Sequence, residues 1–145
     1  MSPKVLSVRK EENDAKIIIR REVLDEIFGH IDQELVLTKA KDRITSRTWF
    51  GSRLAMHYGE TEIRRIKTRD GKDAIDVVWG SQGEGHSDWH WCIIVPFDPR
   101  QIDLLFDTVK DYETYWKIKS RLYSGCLSRN IDKRVECDLS FLFSE

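Results

Sequence analysis

Apolar and polar positions alternate along Val135, Cys137, Leu139, Phe141 and Phe143, with Glu136, Asp138 and Ser140 between them, the period of a half-buried strand. Trp89 to Val95 has a different pattern: every residue but His90 is apolar or cysteine. Such a run predicts a central strand with both faces covered. Period two places Trp89, Trp91, Ile93 and Val95 on one face and His90, Cys92 and Ile94 on the other, with His86 and Asp88 joining the second face if the extended backbone begins early enough.

Upstream of that run, Thr61 to Thr68 and Asp73 to Trp79 flank Asp70-Gly71, a dipeptide suited to a two-residue type I′ turn. Counting outward from this turn puts Arg65 opposite Asp76, Ile66 opposite Ile75 and Ile63 opposite Val78. Gly80 to Gly85, rich in glycine and without an apolar side chain, reads as a loop. Near the N-terminus Lys4 to Arg9 and Lys16 to Arg20 are short β-type runs around a polar hairpin loop at Lys10 to Asp14, and Glu34 to Thr38 is a further strand candidate.

Three stretches carry helical spacing. Val23, Leu24, Ile27, Phe28 and Ile31 form one stripe; Trp49, Phe50 and Leu54 form another, over Ser46 to Tyr58, with Thr45 or Ser46 as cap and Gly59 as stop. Ile102 through Trp116 and on toward Tyr123 form a longer helix, broken once, which Asp98-Pro99-Arg100-Gln101 starts and Gly125 stops. Together these elements predict a single α+β domain over residues 1–145, with a mixed β-sheet of about five or six strands flanked by helices. The expected layout is an N-terminal β-hairpin plus helix over residues 1–45, then a helix-strand-strand-strand-helix-strand core over residues 46–145.

Composition narrows the functional classes. The chain has 145 residues, enough to bury a core, and its 24 Lys and Arg against 25 Asp and Glu leave no global field for a nucleic acid or a membrane surface. Any basic patch must be local. Cys92, Cys126 and Cys137 form no CxxC pair and suit a reducing compartment, and no run is apolar enough for a signal peptide or a membrane span. The expected location is the cytoplasm, or the host cytosol for a viral protein. No P-loop, GxGxxG, GxSxG or HExxH motif occurs.

From residue 46 the element order resembles the core of restriction-endonuclease-like phosphodiesterases, the PD-(D/E)XK group, over roughly the last 100 residues. In that family a carboxylate early in the second core strand and an acidic-x-Lys in the third hold a divalent metal beside the scissile phosphate. The resemblance implies Asp73 or Asp76 as the first carboxylate and Asp88 as the second, with His90 where the family has lysine and Glu60 or Glu62 as a third acidic group. The catalytic set would be Asp76, Asp88 and His90, with Asp76 and Asp88 holding Mg²⁺ or Mn²⁺ and His90 orienting or activating water.

Three other readings compete with that one. Asp76 can be satisfied by Arg65 across its hairpin, Asp88 can end a loop and bond nearby backbone, and His90 can be a hydrogen-bonded histidine at the core edge. His86, Asp88, His90 and Cys92 stand at i, i+2 spacing, about 6.5 to 7 Å apart at Cα on a strand, which suggests a zinc or iron site. Arg64, Arg65, Lys67, Arg69 and Lys72 crowd the hairpin, and Trp79, Trp89 and Trp91 flank the glycine loop, which are the ingredients of a DNA- or RNA-binding platform. A non-catalytic domain that binds nucleic acid or another protein, as adaptor or inhibitor, is the alternative to the nuclease.

Overall fold

The computed structural model describes residues 4–13, 15–51, 56–83, 86–126 and 134–144. Eight strands form one sheet in the order β1-β2-β3-β4-β5-β6-β7-β8. They are β1 (Lys4–Glu12), β2 (Lys16–Asp25), β3 (Gly29–Lys39), β4 (Arg43–Gly51), β5 (Met56–Lys67), β6 (Asp73–Gly83), β7 (His86–Pro96) and β8 (Arg134–Cys137). Helices α1 (Arg100–Thr108) and α2 (Tyr112–Gly125) stand between β7 and β8. This overturns the expected sheet of five or six strands flanked by helices. Two stretches read as helix are strand, and among the described residues both α-helices follow β7.

The first misread helix, Val23 to Ile31, is the apex of the β2–β3 hairpin. Val23 pairs with Ile31, Leu24 with His30 and Asp25 with Gly29 in an antiparallel ladder. Apolar residues spaced to fit a helical stripe fit a tight hairpin equally well when the turn itself carries apolar side chains. The second, Ser46 to Tyr58, divides into β4 and the start of β5, and its middle lies outside the described residues.

The chain separates into two compact units, residues 1–40, 45–61 and 79–89 in the first and 41–44, 62–78 and 90–145 in the second; β4 to β7 contribute residues to both. In the first unit β1, β2 and β3 form an antiparallel meander. Asn13 folds its first turn, accepting from the N–H groups of Ala15 and Lys16 at 3.1 and 3.0 Å. Ile17, Val23, Leu35 and Leu37 are buried and fall on one face by strand alternation. Every residue of β1 is exposed.

In the second unit the helices cover one face of the sheet. Ile63, Ile75, Val77, Cys92 and Ile94 are buried to 1% exposure or less, as are Ile102, Leu105, Ile118 and Leu122 of the helices. Arg65 marks this face, donating to Asp103 at 2.8 Å with its guanidinium 4.9 Å above the Phe106 ring. The expected long helix is broken once, between Thr108 and Tyr112. Asp111 starts α2 with a capping box, Thr114 N–H donating to its carboxylate at 2.8 Å while the Thr114 hydroxyl bonds the Asp111 N–H. At the start of α1, Asp98 accepts from the Arg100 N–H at 3.0 Å.

After α2, β8 pairs with β7 in parallel, Ile93 beside Arg134 through Pro96 beside Cys137. A parallel neighbour requires a crossover, which the two helices supply. The strand expected through Phe143 ends at Cys137. A 3₁₀ turn over Ser140–Leu142 replaces it, so Leu139 and Leu142 are both fully buried and the alternation breaks. The run from Trp89 to Val95 is β7, seventh of eight strands, and its face is not covered on both sides: Trp89 and Trp91 are 45% and 42% exposed, whereas Cys92 and Ile94 are sealed.

Candidate functional site

The β5–β6 turn decides which arginine Asp76 meets. Gly71 takes φ +83°, its N–H donates to the Thr68 carbonyl at 3.0 Å, and the Thr68 N–H donates to the Lys72 carbonyl at 2.9 Å. Thr68 therefore faces Lys72 across a three-residue loop, Arg69-Asp70-Gly71, rather than the two-residue loop expected, and the register moves by one. Arg64, not Arg65, meets Asp76, Nη2 to Oδ2 at 2.9 Å, while Arg65 turns to the helix-covered face. Arg134 of β8 holds the turn from outside, donating to both Asp70 oxygens at 2.9 Å. That guanidinium, with the Thr68 hydroxyl, keeps the Asp70 carboxyl far below the ordinary carboxylate range.

The other Asp76 oxygen accepts from Trp91 Nε1. The Asp76 side chain is only 13% exposed, and both of its oxygens are taken by protein donors. Through Trp91, Asp76 shares the face of the odd-numbered residues of β7. Asp88 and His90 are even-numbered and belong to the other face, where Cys92 lies buried. Asp76 and His90 thus lie on opposite sides of the sheet, and the Asp76 oxygens already accept from Arg64 and Trp91.

The neighbouring carboxylates are engaged elsewhere. Glu60 accepts from the Tyr58 hydroxyl at 3.2 Å, Glu62 lies 3.8 Å from Arg43, and Asp73 lies 3.6 Å from Lys67. Among the described residues no group of three or more His, Cys, Asp or Glu is placed to hold a metal ion. The His86 side chain lies outside the described set, which leaves Asp88, His90 and Cys92 of the four-residue zinc or iron reading. The residues present do not fit Mg²⁺ or Mn²⁺ around Asp76.

The expected basic patch is divided and largely neutralised. Arg64 is bound by Asp76, Arg65 by Asp103, Lys67 by Asp73 and Lys72 by Glu136 at 3.4 Å, leaving exposed Arg69 at the loop. Arg64 and Arg65 also occupy opposite faces. An aromatic-and-cation platform needs both kinds of side chain free on one surface; here the cation beside Trp91 is bonded to the carboxylate that the indole also reaches. In the first unit Trp89 packs against Gly80, where a Cβ would collide with the ring, and its indole N–H donates to Ser87 Oγ at 3.1 Å.

An open cleft of about 500 Å³ in the first unit is walled by Trp49, by Arg9, Arg20 and Arg21, and by Glu22, Asp32 and Glu34. Its charges balance, and Arg20 already binds Glu34 at 2.9 Å.

The feature missed by the sequence reading is the β2–β3 apex. Ile27 and Phe28 N–H groups donate to Asp25 Oδ1 at 2.8 and 3.0 Å, and Gly29 takes φ +73°, so both turn ends are fixed by side-chain and backbone chemistry. The two backbone donors, Phe28 foremost, lower the Asp25 pKa. On this fixed loop Ile27 is 79% exposed and Phe28 43%, with Leu24 47% exposed beside them. Glu26 belongs to the loop itself, and Glu22 and Asp32 pair across the hairpin two residues below Leu24 and His30, with His30 3.2 Å from Glu22 and 3.9 Å from Asp32. The signal was present in Asp25-Glu26-Ile27-Phe28-Gly29, an Asx start followed four residues later by glycine. No family model, curated protein or solved structure matches this chain.

Proposed function

We propose that this chain is a non-catalytic protein-binding domain that docks through the β2–β3 apex. The observation that carries this reading is the Ile27–Phe28 pair, large apolar side chains held in solvent by a loop whose conformation Asp25 and Gly29 already set. A preorganised apex loses little conformational entropy on docking, and apolar anchors seated in a pocket dominate interface energetics. The carboxylates of Glu26 on the loop and of Glu22 and Asp32 on the stem below it suit a partner whose apolar recess has lysine or arginine at its border. The three free cysteines, two of them buried, suit a reducing compartment such as the cytoplasm, a viral protein's host cytosol included.

The phosphodiesterase reading loses its first ligand to Arg64 and Trp91, and the nucleic-acid reading loses most of its free cations to neighbouring carboxylates. The test places a photocrosslinking side chain at position 27, identifies the captured protein, and titrates that purified protein against the native chain and the Ile27→Asp variant. Weakening of about tenfold or more on substitution is the expected result. Unchanged affinity in the folded variant rejects the apex as the docking element.

A further inference from the structure

Strand β1 ends one side of the sheet, and its outer edge pairs with no strand among the described residues. All nine of its residues are exposed, Val5, Leu6 and Val8 at 45%, 47% and 58%. Unpaired edges template the addition of another strand. Natural sheets blunt such edges, and here the device is a bulge between Val5 and Ser7 that interrupts the ladder to β2. From Ser7 to Glu12 the register is regular, Ser7 beside Glu22 through Glu12 beside Ile17, so that segment remains a straight, open edge.

We propose that this segment pairs with the same segment of a second copy, antiparallel across a two-fold axis at Lys10. In such a continued sheet opposing residues share a face, so the axis must pass through a residue. An axis at Val8 brings the bulge into the ladder, and one at Arg9 sets that arginine against itself. An axis at Glu11 sets two carboxylates together and shortens the pairing. The axis at Lys10 also sets that lysine against its own copy, but each Lys10 keeps its own Glu12 at 3.3 Å to offset the charge, and the same axis sets Arg9 opposite Glu11 of the second copy, twice. Arg9 makes no ion pair among the described residues, and Glu11 reaches only Arg20, at 3.5 Å. The axis therefore joins an arginine without an ion pair among the described residues to a carboxylate held by one long contact.

A ladder of this length covers less surface than a standard interface, so the dimer is weak and forms in the range of tens to hundreds of micromolar, on the order of 10⁻⁵ to 10⁻⁴ M. Sedimentation equilibrium of the whole chain across that range measures it. Arg9→Glu alone and Glu11→Arg alone each set like charges opposite one another and weaken the dimer about tenfold; the double variant Arg9→Glu/Glu11→Arg restores it to within about threefold of the native chain. Circular dichroism confirms that each variant folds. A monomer at all concentrations overturns the proposal. So does a dimer indifferent to the single substitutions, or a double variant no better than the singles. A dimer lost on Ile27→Asp and untouched at β1 assigns self-association to the apex and equally overturns it.

Discussion

Among the described residues the eleven largest fully buried side chains, Tyr115, Leu122 and Ile63 among them, all belong to the second unit, while nine of the thirteen exposed large apolar residues belong to the first. Both units use strands of the same sheet, so strand propensity does not explain the difference. Among the described residues the second unit contains both α-helices, whose apolar faces seal Ile63, Ile75 and Ile94, and the first contains none. A sheet face without a second layer leaves apolar side chains in water unless a partner covers them. Stability is therefore concentrated in one unit and apolar surface available for docking in the other.

The contrast predicts unequal costs of truncation. Leu105→Ala, at a fully buried position of α1, is expected to destabilise the chain by about 3 kcal/mol in urea unfolding, whereas Val8→Ala on the exposed edge strand costs less than about 0.5 kcal/mol. Equal costs would show that Val8 is covered in solution rather than 58% exposed. Asp76→Ala comes next. It strips Arg64 and Trp91 of their shared acceptor and is expected to cost about 1 to 2 kcal/mol. Millimolar Mg²⁺ should leave the thermal midpoint of the native chain within about 1 °C, because the Asp76 oxygens are already bonded. A rise that disappears in Asp76→Ala would instead reinstate the metal site.

The smallest effect concerns acid. Asp70, Asp98, Glu136 and Asp138 of the second unit all have lowered pKa values, Asp70 and Glu136 chiefly through Arg134, Asp98 through Arg100 and Asp138 through Ser140. In the first unit the lowered carboxyl is Asp25. A carboxyl whose folded pKa lies below its unfolded one contributes stability above the unfolded value, near pH 4, and loses it as pH falls through the folded value. Stability should accordingly decline below about pH 4, and Asp70→Asn should make that decline shallower. An identical acid limb in the variant would show that the Arg134 bond adds nothing to folding.

Much of this was legible in local pattern. The β1, β2 and β5–β6 strands followed from short runs rich in β-branched residues bounded by turn chemistry, and α1 and α2 followed from the spacing of Ile102, Leu105, Phe106, Val109 and Tyr112. The apex was hidden because Val23, Leu24, Ile27, Phe28 and Ile31 satisfy a helix and a hairpin alike. Only the pairing with β3 separates the two readings. One residue of register changed the neighbour of Asp76: a three-residue loop in place of a two-residue one gave it Arg64 and sent Arg65 to the helices.

By itself the sequence determined the strands β1, β2, β5 and β6, where the first helix begins, and that neither sign of charge prevails in the chain as a whole, because each can be read from the residues themselves or their near neighbours. Tertiary structure alone decided which strands meet and which face each side chain takes. Those depend on turn geometry and on long-range partners such as Arg134 for Asp70, and in a sheet a shift of one residue moves every side chain to the other face.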